Sequence, residues 1–298
     1  MPAGVCMTSL LSNANPDTFY DIFILHSPSC DFSGSLLNSL PATYHNCRLT
    51  FREVVDEFIG GYQVRGIPET AYYRLIAPEL IPEYDKFIYS DVDVIFREDL
   101  SSYFDIDLGD HYFAGVDSLP VISDNDREYL EKELHFKADN GYFYSGNLLF
   151  NAALLRKDGI MEQFRSLGKK RFRYQDMDII NLVCNGRVLA IPPAYCLTTY
   201  YYQKLINATQ QMEKIYGKDE VKHALLSGIV HYNGAKPWQG PCPNADIWWS
   251  YYRKSIFFDE RFCSAFWTGQ RDSLIYLSLL KRIKLLFRYP IDKKEWGR

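Results

Sequence analysis

The stretch KFIYSDVDVIF, residues 86–96, is an apolar strand pattern that two carboxylates interrupt before it resumes. Asp91 and Asp93 are separated by one residue, so in a simple strand their side chains point to the same side. Charged groups within an apolar strand need compensation, and at a strand end the pair can share one hard cation through oxygen ligands. An isolated D-x-D tripeptide is short and is more often a solvated strand end. Here the apolar residues on both sides favour a divalent-metal site.

The sequence around this stretch alternates between strand and helix patterns. Pro2 opens an apolar-periodic stretch that runs through Leu11 and predicts a helix, since proline is favoured in the first turn. Apolar residues at helical spacing predict two further helices, at 69–80 and 174–184. Short apolar runs with polar boundaries predict buried strands, at 20–25, 47–51, 112–116, 148–151 and 188–191. This alternation predicts an α/β fold.

A second motif, IVHYNGAKPWQG at residues 229–240, brings His231, Gly234 and Lys236 within six positions. A neutral imidazole is a ligand that Mn²⁺ accepts more readily than Mg²⁺ does. Glycine lets the backbone approach a phosphate closely, and lysine supplies a compact positive charge. A histidine after a strand is usually structural, but together with an upstream D-x-D pair His231 is predicted to be a metal ligand.

Composition sets limits on the partners and the location of the protein. The formal net charge of -4 over 298 residues provides no basic field, so nucleic acid is not an expected partner. The seven cysteines show no C-x-x-C spacing and are typical of reduced thiols in a cytosolic protein. The first residues have no basic segment of an export signal, and no apolar run reaches the length of a membrane span. A cytoplasmic location is therefore expected.

Taken together, these motifs resemble glycosyltransferase family 8, which includes bacterial lipopolysaccharide α-galactosyltransferases and α-glucosyltransferases and glycogenin. The resemblance covers nearly the whole chain and rests on five segments: AYYRL (71–75), YSDVDVIF (89–96), YFYSGNLLFN (142–151), RYQDMDIIN (173–181) and HYNGAKPW (231–238). It implies a GT-A, Rossmann-like nucleotide-sugar fold with a mixed central sheet. It also implies retaining transfer of a hexose from UDP-Glc or UDP-Gal, with Mn²⁺ or Mg²⁺, to a glycan acceptor such as lipopolysaccharide core.

The resemblance implies roles for the residues of the two motifs. Asp91, Asp93 and His231 are expected to hold the metal, with Asp91 also contributing to the binding of the donor. Gly234 and Lys236 are expected to contact the diphosphate. The histidine motif is one residue shorter than the common H-x-x-G-x-x-K-P-W form, which shifts Lys236 relative to His231.

Four other residues receive roles by resemblance. Arg74 is expected to contact the donor sugar, and the alternative is a salt bridge on a helix surface. Asp117, in FAGVDS, is expected beside the acceptor, and the alternative is a turn residue. If the reaction uses a carboxylate nucleophile, Asp178 is the first candidate and Asp176 the second.

Two positions depart from the family pattern. Tyr144 stands where the family commonly has the asparagine of F-N-S-G, so a contact with a donor-sugar hydroxyl is altered or lost. Met177 stands where many members have the glutamine of D-Q-D, and a thioether cannot replace an amide oxygen next to the anomeric carbon. Met177 therefore favours a front-face route, in which the acceptor attacks on the side from which UDP departs.

Two other functions compete with this interpretation. DVDV also fits the D-x-D-x-[TV] pattern of haloacid-dehalogenase-like phosphatases, although that motif usually ends the first strand and about 90 residues precede it here. A catalytically degenerate GT-A domain that binds nucleotide or glycan without turnover is the second alternative, and Tyr144 and Met177 motivate it.

The two ends of the chain carry three further expectations. A GT-A catalytic domain is expected over 1–240 and a helical extension over 241–298, with a soft boundary near Pro241. Apolar residues accompany Lys281, Arg282, Lys284 and Arg288 in 273–289, which predicts an amphipathic helix on the inner face of the cytoplasmic membrane or a helix packed on the domain. Family members begin with an apolar strand ahead of the first helix, and the numbering here starts at that helix, so the first strand is expected to be missing.

Overall fold

The computed structural model describes residues 1–55, 57–58, 61–63, 68–276, 278–280 and 283, which contain nine strands and thirteen α-helices together with shorter 3₁₀ and π turns. The strands are β1 (Tyr20–His26), β2 (Cys47–Glu53), β3 (Lys86–Ser90), β4 (Val94–Ile95), β5 (Phe113–Gly115), β6 (Asn147–Asn151), β7 (Val188–Ala190), β8 (Leu197–Thr198) and β9 (Val230–His231). The helices are α1 (Pro2–Ser12), α2 (Leu40–Thr43), α3 (Ala77–Leu80), α4 (Ser101–Phe104), α5 (Asp124–Glu128), α6 (Ala152–Lys157), α7 (Ile160–Gly168), α8 (Gln175–Val183), α9 (Thr199–Asn207), α10 (Thr209–Tyr216), α11 (Lys218–Leu226), α12 (Ala245–Lys254) and α13 (Glu260–Tyr276).

The strands form three sheets. β1 and β2 pair in parallel, and β3, β6, β5 and β7 form a mixed sheet in that order, with β3 antiparallel to β6 and β5 parallel to β7. The third sheet has the order β4, β9, β8. Within the residues described, β1 pairs only with β2 and β3 only with β6. The expected mixed central sheet is therefore present, and β4 lies beside β9, which carries His231.

Local sequence patterns predicted most of the strands and the helices α1 and α8 within two residues of their observed bounds, whereas most of the other helices were not predicted. The predicted helix at 69–80 differs in type. This segment is a 3₁₀ helix over Glu69–Ile76 followed by the short α3, rather than one α-helix. Pro78 has no backbone N–H, so an α-helix through this position would lose its bond to the carbonyl of Arg74. That carbonyl instead accepts from the N–H of Ala77, one residue earlier.

Helix α1 packs directly behind the break between β3 and β4. The hydroxyl of Ser9 accepts from the backbone N–H of Phe96 at 3.0 Å and donates to the carbonyl of Cys6. The amide nitrogen of Asn13 donates to the carbonyl of Phe96 at 3.0 Å. Both backbone groups of Phe96 are therefore bonded to α1 or to the residue that caps its C-terminus, which holds the segment that follows the two aspartates.

The main hydrophobic core extends past residue 240. In α12, Trp248, Trp249 and Tyr252 are buried in the same cluster as Val5 and Val94. The indole N–H of Trp249 also donates to the carbonyl of Pro237. The division into 1–240 and 241–298 stays a prediction, but α12 shares the core of the residues before it.

The amphipathic helix predicted over 273–289 falls largely outside the described residues. Helix α13 ends at Tyr276, and beyond it the structure describes only 278–280 and 283. Among the helices that are described, none combines the length and the apolar character needed to cross a bilayer.

Candidate functional site

The three predicted metal ligands lie together. Asp91 and Asp93 occupy the break between β3 and β4, and the pairing of Val94 with His231 brings the histidine across from them. One ligand atom from each of the three residues lies within 4.8 Å of the others. Nε2 of His231 is 3.3 Å from Oδ1 of Asp93 and 3.7 Å from Oδ2 of Asp91. This arrangement can hold a divalent cation.

The surroundings of the cluster fit such an ion. Two carboxylates and one imidazole are a ligand set that suits Mn²⁺ better than Mg²⁺. Gly146 borders the cluster, and a Cβ at this position would overlap Cε1 of His231 and come within 2.7 Å of Oδ2 of Asp91. The backbone of residue 146 can approach the ligands this closely only because it is glycine.

His231 is held by groups on both sides of its ring. Sγ of Cys196 lies 3.5 Å from Nδ1, which leaves Nε2 directed at the carboxylates. A partner on the second ring nitrogen is typical of histidines that bind metals through the other one. Burial opposes a charged imidazole, but Asp93 raises the pKa of His231 above its usual value. Burial likewise disfavours the Asp93 carboxylate, yet His231 and Lys236 lower its pKa overall.

Arg74 is a buried part of the site rather than a surface salt bridge, so that alternative is wrong. Its side chain is 6% exposed, and it donates to Oδ1 of Asp91 at 2.8 Å and to the carbonyl of Ser145 at 2.7 Å. Its Nε lies 3.2 Å from Oδ2 of Asp176. Burial alone would lower the pKa of Arg74, but Asp176 and Asp91 raise it. Arg74 therefore fixes Asp91 and links it to Asp176.

Lys236 reaches the cluster in spite of the shortened motif. Its Nζ donates to Oδ2 of Asp93 and, at 2.6 Å, to the carbonyl of Tyr232. Gly234 is exposed and has open space where a side chain would be. The loop after β9 therefore places the Lys236 ammonium against Asp93, a predicted metal ligand, and leaves open space at Gly234.

The two candidate nucleophiles have different surroundings. Asp178 is fully buried, and its oxygens accept from the hydroxyls of Tyr129 and Tyr142 and from the backbone N–H of Tyr174. Asp176 is linked through Arg74 to Asp91, a predicted metal ligand. Burial raises the pKa of Asp176 although Arg74 opposes the shift. Asp178 thus accepts three hydrogen bonds, whereas Asp176 belongs to the polar cluster around Asp91.

Gln175 immediately precedes Asp176 and has an unusual backbone. It is buried with a φ of 44°, a left-handed conformation that is uncommon for residues other than glycine. Its amide nitrogen donates to the carbonyl of Tyr62 at 2.8 Å. Strained backbone of this kind is often found next to functional residues.

Asp117 has the contacts of a turn residue. Its Oδ1 accepts from the backbone N–H groups of Leu119 and Tyr142, each at 3.0 Å, and its carbonyl accepts from the hydroxyl of Tyr201. Burial raises the pKa of Asp117. The turn alternative thus describes its contacts, and its place beside an acceptor stays a prediction.

The two positions that depart from the family pattern pack against protein. The hydroxyl of Tyr144 lies 3.5 Å from Oγ1 of Thr198, and its ring meets Tyr201 edge-on. Met177 packs against the cluster of Tyr129, Leu130, Phe136 and Tyr142. The Met177 thioether is therefore part of an apolar cluster.

Sequence reasoning missed several residues that build the site: Ser9, Tyr89, Ser145, Gly146 and Cys196. Tyr89 donates to Oδ1 of Asp91, and the guanidinium of Arg74 lies over its ring. Ser145 and Gly146 lie within the segment YFYSGNLLFN. Two small residues between larger apolar ones can indicate a close approach of the backbone, so the sequence did contain a signal for them. Cys196 and Ser9 carried no local signal, because their partners are distant in the sequence.

Comparison with known proteins agrees with this geometry. The model of the family "Glycosyl transferase family 8" matches residues 1–242. The chain belongs to glycosyltransferase family 8. Glycosyl transfer is the class of chemistry of this family. The phosphatase interpretation does not fit this family, and β1 and β2 both precede the D-x-D motif.

This family 8 chain is similar to curated proteins and to solved structures, of which two relatives and one structure are described. General stress protein A of Bacillus subtilis (strain 168) is 26% identical over 58% of this chain and 60% of that protein. Lipopolysaccharide 1,2-glucosyltransferase of Escherichia coli is 24% identical over 64% of this chain and 53% of that protein. The chain thus spans less than two thirds of the length of these relatives. A crystal structure of an active-site mutant of LgtC is 25% identical with a TM-score of 0.72, covering 88% of this chain and 94% of that one. The expected GT-A fold is therefore confirmed.

Proposed function

We propose that this family 8 chain is a retaining, metal-dependent hexosyltransferase that uses UDP-Glc or UDP-Gal and a glycan acceptor such as lipopolysaccharide core. The observation that carries the proposal is the convergence of Asp91, Asp93 and His231 within 4.8 Å, with Lys236 in contact with Asp93. The similarity to a lipopolysaccharide 1,2-glucosyltransferase supports this class of acceptor.

The residues of the site divide the work of transfer. When bound, a divalent ion held by Asp91, Asp93 and His231 would neutralise the charge that develops on the UDP leaving group. Lys236 would stabilise the same diphosphate, with Gly234 leaving room for it. Arg74 would contact the donor sugar, and its ion pairs with Asp91 and Asp176 support a role next to the candidate metal ligands. Asp117 would lie beside the acceptor.

We propose a front-face course for the reaction. The bond between the anomeric carbon and the β-phosphate oxygen breaks, the acceptor oxygen bonds to the same face of that carbon, and the acceptor proton passes to the departing phosphate. Met177 supports this route because its side chain packs in an apolar cluster and offers no amide oxygen to the anomeric carbon. The three donors on Asp178 also favour this route, since a nucleophile at that position would have to give up hydrogen bonds. If a covalent route operates, Asp178 and Asp176 are the candidates.

The test is a screen of UDP-Glc, UDP-Gal and UDP-GlcNAc for Mn²⁺-dependent release of UDP, with and without acceptors. Asp93→Asn is expected to lower turnover by orders of magnitude because it weakens a ligand of the metal. Asp105→Asn is the matched control, since Asp105 is exposed at the end of α4. Full activity of Asp93→Asn, or of the wild type in excess EDTA, would contradict the metal assignment.

A degenerate GT-A domain that binds without turnover is the second candidate. Tyr144 favours it because its ring fills a position where the family commonly has a smaller amide. Binding of UDP with no release from any UDP-sugar would support this candidate, and Mn²⁺-dependent hydrolysis of a UDP-sugar would exclude it.

We also propose a cytoplasmic location with peripheral attachment to the inner face of the membrane through 273–289. Among the described residues, the exposed Trp267 of α13 and the exposed Phe258 before it support such a contact, because aromatic side chains favour the membrane interface.

A further inference from the structure

Lys236 pairs with a carboxylate that a metal also needs. Its Nζ donates to Oδ2 of Asp93, while Oδ1 of the same carboxylate is 3.3 Å from Nε2 of His231. An ion bound by Asp93 and His231 would therefore lie next to an ammonium. Two like charges about 4 Å apart repel by several kcal/mol even at an effective dielectric constant of about 20.

Asp91 cannot relieve this conflict. Its Oδ1 accepts from Arg74 at 2.8 Å and from the hydroxyl of Tyr89 at 3.2 Å, which leaves Oδ2 toward His231. The ion would depend on Asp93 for its second carboxylate. The cation that pairs with Asp93 therefore affects metal binding directly.

Of the two cations at the cluster, Lys236 is the one able to move. The side chain of Arg74 is 6% exposed, and it bonds to Asp91, Ser145 and Ala71. The side chain of Lys236 is 25% exposed on a flexible four-carbon stem, and Gly234 beside it has open space. The ammonium can thus leave Asp93 without disturbing the core.

The charges around the cluster disfavour a metal without a diphosphate. Asp91 and Asp93 face Arg74 and Lys236, so these four formal charges cancel, and Asp176 adds one negative charge behind Arg74. A divalent ion on its own leaves an excess of positive charge. The two negative charges of a UDP-sugar remove this excess and offer Lys236 a second anionic partner.

We infer that Lys236 and the divalent ion compete for Asp93, and that a nucleoside diphosphate relieves the competition by drawing the ammonium to itself. The inference rests on the proposed function, because it requires that metal and nucleotide share this site. Metal and nucleotide then bind with positive coupling. The coupling is reciprocal, so UDP raises the affinity for Mn²⁺ by the same factor as Mn²⁺ raises the affinity for UDP.

The test is isothermal titration of Mn²⁺ with and without saturating UDP on the full chain, Lys236→Met and Lys222→Ala. In the wild type, UDP is expected to raise the Mn²⁺ affinity by about tenfold or more. Lys236→Met is expected to bind Mn²⁺ alone several-fold more tightly than the wild type, to bind UDP more weakly, and to show a smaller coupling factor. Structural damage would not raise the affinity for a metal. Lys222 is exposed on α11, so Lys222→Ala controls for the loss of one charge.

The outcomes separate the two proposals. If the wild type binds Mn²⁺ but Lys236→Met binds it no more tightly in the absence of UDP, the competition is overturned and the proposed function stands. A gain of the same size in Lys222→Ala also overturns it, because the effect is then one of net charge. If the wild type binds no Mn²⁺ even with UDP, the metal-dependent function itself fails. Lys236→Gln replaces Lys236→Met if circular dichroism shows that the latter is unfolded.

Discussion

Gly146 allows the backbone to lie close to the candidate metal ligands Asp91 and His231. The methyl group of Gly146→Ala would overlap the ring of His231 and lie 2.7 Å from Oδ2 of Asp91, so the ligands would have to move apart. We expect the affinity for Mn²⁺ in the presence of UDP to fall by at least about tenfold, or about 1.4 kcal/mol. The measurement is isothermal titration.

Gly34→Ala is the matched control, because Gly34 is exposed and no atom lies within 4 Å of the added methyl. It is expected to bind Mn²⁺ as the wild type does. Wild-type affinity in Gly146→Ala would show that the cluster is not the metal site or that it tolerates this shift.

Asp178 of α8 connects this helix to the segment before β6. Its oxygens accept from the hydroxyls of Tyr129 and Tyr142 in that segment and from the backbone N–H of Tyr174 at the start of α8. Tyr142→Phe removes one donor to a buried carboxylate, so we expect the free energy of unfolding to fall by about 1–3 kcal/mol. Urea denaturation followed by circular dichroism measures this change.

Tyr200→Phe is the control for that change, since Tyr200 is 58% exposed. Loss of its hydroxyl is expected to alter the free energy of unfolding by less than about 0.5 kcal/mol. Equal effects of the two substitutions would mean that Asp178 does not anchor the segment through Tyr142.

Helix α1 supports the segment after the D-x-D motif through Ser9. Ser9→Ala leaves the N–H of Phe96 buried without its side-chain acceptor, which costs about 1–3 kcal/mol. We expect a lower melting temperature than for Ser12→Ala on the exposed side of the same helix. If the two variants melt together, α1 does not support this segment through Ser9.

The molecule as a whole depends on residues beyond 240 for its core. A chain ending at residue 240 loses the buried Trp248, Trp249 and Tyr252, so we expect it to aggregate or to lose its near-ultraviolet dichroism. A chain ending at Arg271 keeps α12 and most of α13, and we expect it to fold and bind UDP. Folding of the shorter chain would establish 1–240 as an independent domain.

The same truncation after Arg271 tests the membrane proposal. It removes the basic segment 273–289, and we expect the shortened chain to lose sedimentation with anionic vesicles that the full chain shows. Equal sedimentation of the two chains would favour a helix packed on the domain.

Local patterns in the sequence were enough to predict most of the strands, the helices α1 and α8, and the candidate metal ligands Asp91, Asp93 and His231. Alternation and helical spacing act over a few residues, and 86–96 and 229–240 each carry their signal within about a dozen positions. The prediction for 69–80 was wrong in helix type, because Pro78 affects the bond of a residue four positions earlier.

Only the tertiary structure decided which of these residues meet and which are buried. The pairing of β4 with β9 places His231 against Asp91 and Asp93, and no local pattern encodes a contact over that separation. The structure also shows that Arg74 is buried and paired with two carboxylates, which excludes the alternative of a salt bridge on a helix surface. The competition inferred at Asp93 likewise follows from a contact between distant residues, since the energy of a charge depends on its neighbours in space and on the water around it.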